Sequence, residues 1–256
     1  MADAVLFVIL MAQGRTEWAN QISAAEWGVY REVITAAQAR GIPFALGGAF
    51  AVASYTGCWR NTKDLDVYVL AEHREKMLEV LVACGLEDYY SRLPYDRWWI
   101  YRSFRGDVIV DVIWAMANHR AQIDELWMSG PEIDLRGCRV RVLPPEALLW
   151  DKLYILQRDR CDWPDVLNLL YAVGSEVRWD YLVHRIGEDV PLLAGALSVF
   201  RWISPGRARR LPAWLWKELG MAPPGTETDD AIKRRTDLLD RRPWYVPYRR
   251  EIAPAA

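Results

Sequence analysis

Between Asp64 and Leu70, polar and apolar positions alternate. Asp64, Asp66 and Tyr68 fall on one side of the run, Leu65, Val67 and Val69 on the other. A period of two predicts a strand with its apolar side buried and two carboxylates on the opposite face, about 7 Å apart along the backbone. Phe44-Ala45-Leu46 reads as a short buried strand. Leu86–Ser91, Arg97–Phe104, Val108–Trp114 and Arg139–Leu143 read as further strands. Helices are predicted between them. Ser23 to Arg40 opens on Ser23 and Glu26, spaced as a capping box, and stops at Gly41-Ile42-Pro43. Ala49 to Thr56 stops at Gly57, and Glu72 to Cys84 completes the set.

After Pro144-Pro145 the pattern changes. Glu146–Gln157, Trp163–Val173, Trp179–Ile186, Val190–Ile203 and Arg207–Leu219 all read as helices, and the prolines can both end a strand and open a helix. The expected fold class is α/β (α+β): a mixed-sheet core with an N-terminal helix over 1–143, a helical domain over 144–221, and a linker with a basic tail over 222–256. Ala222–Gly225 is the linker, rich in Pro and Gly.

Charge adds an asymmetry. From Arg201 onward there are twelve Lys/Arg against seven Asp/Glu, net +5. The chain's −2 then leaves −7 on residues 1–200. An acidic body with a basic end suits a metal site in the first part and a phosphate-rich partner for the second, or simply a solvated helical face. The tail from Arg241 to Arg250 interleaves bases with aromatics, which is compatible with an RNA contact or with an arm packed on its own protein. Cys58, Cys84, Cys138 and Cys161 form no CxxC pair, and His73, His119 and His184 share no ligand spacing, which argues against zinc. Free thiols point to a reducing compartment, with a cytoplasmic location expected. The apolar run Ala4 to Ala12 is too short to cross a membrane and lacks a basic flank, so neither membrane contact nor a signal peptide is expected.

The chemistry concentrates in Gly47-Gly48 and in Arg60-Asn61-Thr62-Lys63-Asp64-Leu65-Asp66. Two carboxylates on one strand face repel, and a hard divalent cation, Mg²⁺ or Mn²⁺, resolves the repulsion. Asp111 interrupts the apolar strand Val108–Trp114. A buried carboxylate there needs a partner, and a metal shared with Asp64 and Asp66 supplies one. Asp107, beside Gly106, reads as a turn residue. Gly47-Gly48 at a strand-to-helix junction lets backbone N–H groups approach a phosphate. The run Trp98-Trp99-Ile100-Tyr101 reads as strand packing. Asp162-Trp163-Pro164-Asp165 reads as a helix start, with Asp162 as cap, or as a pair of carboxylates of which Asp162 or Asp165 meets Lys152 or Arg160. Lys152 lies among Leu148, Leu149, Ile155 and Leu156. It needs either an anion (a nearby carboxylate or a triphosphate) or a route by which its ammonium reaches water. If it meets the triphosphate or a site carboxylate, Lys152→Met is expected to lower nucleotide affinity or turnover while folding stability changes little or rises; if it reaches water, neither activity nor metal binding is expected to change.

The string Gly47-Gly48, then Asp64-Leu65-Asp66, then Asp111 resembles the signature of the DNA polymerase β-like nucleotidyltransferase superfamily. Arg60-x-Thr62-x-Asp64-Leu65-Asp66 resembles its small bacterial branch of minimal, aminoglycoside and abortive-infection-like (toxin-like) nucleotidyltransferases. The resemblance covers roughly residues 40–170. It departs at Ala49, where many relatives carry a hydroxyl, and in the long spacing from Gly47 to Asp64. It implies a nucleoside triphosphate as substrate and an acceptor hydroxyl on a small molecule, tRNA or protein. It further implies Asp64, Asp66 and Asp111 as catalytic metal ligands, with Asp111 also a candidate general base. Gly47, Gly48, Arg60, Thr62, Lys63 and Lys152 are implied as nucleotide contacts. The rival expectation is an inactive module of the same fold that binds a nucleotide or a partner.

Overall fold

The computed structural model describes residues 17–60, 62–240, Trp244 and Tyr245. The readings made for Ala4–Ala12, and for the tail apart from Trp244 and Tyr245, lie outside the described residues. Helix α1, Ala24–Ala39, begins on the expected capping box. Ser23 Oγ accepts from the Glu26 N–H, and Glu26 Oε2 accepts from the Ser23 N–H. Strand β1, Ala45–Leu46, runs into helix α2, Gly48–Thr56, which ends at Gly57 in the left-handed conformation. Then follow β2, Asp64–Tyr68; α3, Arg74–Ala83; β3, Glu87–Asp88; β4, Ile100–Arg105; and β5, Val108–Ile113.

These five strands form one mixed sheet in the order β1-β2-β5-β4-β3. β2 and β5 are parallel, and every other neighbouring pair is antiparallel. Leu65, Val67, Val110 and Val112 are fully buried, and α1 and α3 pack against β5. Parallel strands covered in this way read as dense apolar runs, which is why Asp111 stands out in its strand.

A second, two-stranded sheet follows: β6, Glu132–Leu135, and β7, Cys138–Arg141. Its turn places both Arg136 (φ 52°) and Gly137 (φ 87°) in the left-handed region, the geometry that matches strand twist in a two-residue hairpin. Beyond it lie α4, Pro145–Leu153; α5, Trp163–Val173; α6, Trp179–Ile186; α7, Val190–Ile203; α8, Pro205–Ala208; α9, Ala213–Glu218; and α10, Asp229–Leu239. The buried apolar residues run as one cluster from Trp18 to Trp216, so the sheet and the helices that follow it share a core.

Several elements depart from the sequence reading. The strand expected over Leu86–Ser91 lasts two residues, because the Asp88 carboxylate accepts from the Tyr90 N–H and turns the chain into a short 3-10 segment. Arg97–Trp99 form a turn before β4, and Trp98 is exposed and stacked on His119, so it does not pack within a strand. The helix expected to reach Gln157 ends at Leu153, and Leu156 instead pairs with Cys161. The helix expected over Arg207–Leu219 is broken before Pro212. The hairpin strand β6 was not expected, and helix α10 falls where a linker and basic tail were expected, with a solvated helical face as the alternative. Asp107 does sit in the turn beside Gly106, as expected.

Candidate active site

The register of β2 and β5 brings the carboxylates together. Asp66 stands directly opposite Asp111, and Asp64 lies one strand repeat away on the same face. Oxygens of Asp64, Asp66 and Asp111 all lie within 4.8 Å of one another. Three negative groups so close resist ionising together. Burial pushes the Asp66 carboxyl well above the usual carboxylate range, and the charges of Asp64 and Asp111 push it further, while Lys152 opposes the shift. Burial also raises Asp111, against the pull of Arg102. The set is entirely hard oxygen, and its charge is only partly balanced, which fits a divalent cation such as Mg²⁺ or Mn²⁺.

The glycine pair forms the adjoining wall. Gly47 N–H donates to the carbonyl of Asp66 at 3.0 Å. Gly48 has φ +50°, and a Cβ there would lie 1.7 Å from Asp66 Oδ2; a Cβ on Gly47 would lie 2.1 Å from the Tyr68 ring. Both positions therefore require glycine for space, and Gly48 for conformation as well. Gly48 opens α2, which sets the start of that helix, with its unpaired N–H groups, beside Asp66. Thr62 Oγ1 donates to Asp64 Oδ1 and fixes the near end of β2.

The remaining expected residues separate into two groups. Lys63 is exposed. Its backbone carbonyl accepts from the Ile109 N–H, and its side chain has no ion pair or hydrogen bond among the described residues. Arg60, half-exposed, reaches Asp165 at 3.3 Å. Lys152 does not snorkel. It is 2% exposed, donates to Asp162, and lies 3.1 Å from Asp165. Asp162 stands at the N-cap position of α5, but its side chain makes no capping bond: it is held by Lys152 and by Arg160 at 3.0 and 3.1 Å. Lys152 is thus an interior strut between α4 and α5. Arg60 ties the loop before β2 to the same acidic pair, and the charge of Lys152 is felt at Asp66. This geometry argues against the expectation that Lys152 could be removed without loss of stability, because its ammonium neutralises buried carboxylates.

Three residues escaped sequence reasoning. Arg102 on β4 grips Asp111 through both carboxylate oxygens. Tyr68, at the end of β2, donates to Asp151 Oδ2 at 3.1 Å and stacks on Trp127. Asp151, on α4, is pushed up by burial, against the pull of Lys152. The signal for Asp151 was visible: it is a carboxylate beside Lys152, following the apolar run Ala147–Trp150 of the same helix. Of the basic tail, the described Tyr245 stacks face to face on Tyr171 at 3.9 Å. Among the described residues no helix is long and apolar enough to cross a membrane.

A mixed sheet that sets two carboxylates on one strand and a third on its parallel neighbour, beside a glycine turn that opens a helix, is the framework of a nucleotidyltransferase. The profile of a family described as uncharacterised nucleotidyltransferases matches residues 12–188, and the chain belongs to that family. No curated protein matches it significantly. Among solved structures it is similar to the antibiotic-resistance factor ANT(2'')-Ia, with 20% identity over 70% of this chain and 93% of that one and a TM-score of 0.44. It is also similar to the lincosamide antibiotic adenylyltransferase LnuA, with 15% identity over 58% and 96% and a TM-score of 0.40. A third is JHP933 from Helicobacter pylori, with 13% identity over 85% and 98% and a TM-score of 0.39. At these scores the likenesses carry no inference about activity.

Proposed function

We propose that the protein moves a nucleoside monophosphate from a nucleoside triphosphate to an acceptor hydroxyl and releases pyrophosphate, using divalent metal. The observation that carries this reading is the convergence of Asp64, Asp66 and Asp111 within 4.8 Å, against a glycine turn that admits no side chain. In the reaction, the acceptor oxygen forms a bond to the α-phosphorus and the bond from that phosphorus to the bridging oxygen breaks. Asp64, Asp66 and Asp111 would hold the ions, with Asp64 and Asp66 serving both and Asp111 one. When bound, such ions neutralise the triphosphate and lower the pKa of the attacking hydroxyl.

The chain's own groups do the rest. Backbone N–H groups at the start of α2, from Gly48 onward, would meet the phosphates, while the Gly47 N–H is held by the Asp66 carbonyl and Gly47 contributes its lack of a side chain. Thr62 orients Asp64. A site carboxylate, with Asp111 the candidate, takes the hydroxyl proton. Arg60 and Lys63 lie on the loop before β2, where they can meet the triphosphate. Lys152 holds the floor of the site through Asp162 and Asp165 and biases Asp66 toward its ionised form. An inactive binding module is the weaker reading, because three crowded carboxylates cost stability unless a cation uses them.

The acceptor class is the open variable: a small molecule, tRNA or protein. Incubating the protein with each α-labelled NTP, Mg²⁺ or Mn²⁺ and a cell extract identifies it. The reading requires a labelled product that depends on metal and on Asp66. Failure to label any product with any NTP, under conditions where the folded protein binds nucleotide, favours the binding module.

A further inference from the structure

The three carboxylates are not equivalent, and Arg102 makes the difference. It stands opposite Asp111 in the β4–β5 register. Its Nε lies 2.9 and 3.1 Å from the two Asp111 oxygens, and its Nη2 donates to Oδ2 at 2.6 Å. Nη2 also lies 3.5 Å from Asp64 Oδ2. The backbone behind it is pinned: the Tyr95 hydroxyl accepts from the Arg102 N–H at 3.0 Å and donates to Asp88. Asp111 is only 1% exposed, so this guanidinium is its charge partner. The carboxylate of Asp66 makes no such pair among the described residues, and Asp64 has Thr62 and the edge of the guanidinium.

A two-pronged Arg–carboxylate contact is among the strong charge-assisted bonds. It fills both oxygens that a metal ion would use. A second cation on the same carboxylate would also be repelled by the guanidinium at short range. Yet the Arg102 side chain keeps 34% of its surface open, so its tip has a route to solvent while the backbone stays fixed.

We propose that Arg102 stands in for a cation on Asp111 and thereby makes the two ion sites unequal. One ion binds Asp64 and Asp66 with Arg102 in place. A second gains Asp111 only as the guanidinium leaves. Arg102 is on this view a positioning residue that orders ion entry. The inference rests on the two-ion reading above.

The test is a Mn²⁺ titration without nucleotide, counting free ion by electron paramagnetic resonance. The wild type takes up one ion and then a second at least about tenfold more weakly. Arg102→Gln removes the charge and tightens the second site by about tenfold or more, and the first, whose Asp64 the guanidinium meets only at 3.5 Å, by clearly less. Asp111→Asn abolishes the second site in either background. Arg102→Lys keeps the charge but loses the fork, so its second site falls between the other two. A second site in Arg102→Gln equal to that of the wild type overturns the inference. Should the Gln variant fail to fold, with Asp111 left buried and unpaired, the Lys variant decides by the same criterion. If the wild type binds no Mn²⁺ and Asp66→Asn changes nothing, the two-ion reading itself fails and takes this inference with it. If Asp66→Asn abolishes binding while the Arg102 variants behave as wild type, only the role of Arg102 is lost.

Discussion

Replacing Lys152 by Met deletes one charge and keeps the apolar stem. The structure sets what that costs. The ammonium is buried between Asp162 and Asp165, which are themselves nearly or largely covered, at 6% and 14% side-chain exposure. Removing one partner of a buried ion pair typically costs about 3–5 kcal/mol, because the other charge is left without compensation. Two guanidinium groups soften the loss here. Arg160 keeps hold of Asp162 and Arg60 keeps hold of Asp165, but both are half-exposed and screened. The expected loss is therefore about 2–4 kcal/mol, or a fall in Tm of about 5–15 °C for a chain of this size. Urea unfolding at pH 7 measures it directly. Adding Asp162→Asn to the same chain recovers part of the loss, since the uncompensated charge goes with it, and the double-mutant cycle isolates the pair. A Lys152→Met protein within about 0.5 kcal/mol of wild type would refute the strut and restore the idea of a dispensable lysine.

Other consequences follow from the same geometry. Gly48→Ala forces a Cβ onto Asp66 Oδ2 at a positive φ, so it should lower Tm and abolish metal-dependent NTP binding together; calorimetry showing wild-type binding contradicts the glycine wall. Asp64→Asn and Asp66→Asn should stay folded by circular dichroism while losing metal-dependent nucleotide binding, and unfolding of either variant marks the pair as structural. The raised Asp66 carboxyl binds its proton more tightly folded than unfolded. Stability without metal should therefore fall as pH rises above about 4, through the unfolded carboxylate pKa toward the raised folded value. Mg²⁺ should offset that fall increasingly over the same range. A Tm series that is flat with pH in wild type and unchanged by Mg²⁺ contradicts the crowded site.

Strand alternation placed Asp64 and Asp66 on one face, and an isolated acid in an apolar strand marked Asp111. Those signals are local, and local geometry was enough. Arg102 was invisible because its meaning lies in register: only the pairing of β4 with β5 sets it against Asp111. Lys152 was seen as a problem whose answer lay outside its own helix. Its partners come from the start of α5, brought back by the Leu156–Cys161 pairing that also cut short the expected helix. The hairpin of β6 and β7 turns on Arg136-Gly137 rather than on an Asn-Gly or Asp-Gly signal, so its turn did not announce itself. Helix α10 buries no residue, which leaves little apolar pattern to read, although Thr228 caps it.

The most direct test of the central claim is which phosphate of the nucleotide moves. The protein is given NTP labelled at the α- or the γ-phosphorus, with Mg²⁺ or Mn²⁺ and the cell extract, beside the Asp66→Asn variant. The account predicts that α-label alone enters an acceptor, that γ-label appears as pyrophosphate, and that Asp66→Asn does neither. Transfer of γ-label to the acceptor, or α-label transfer undiminished in Asp66→Asn, contradicts it.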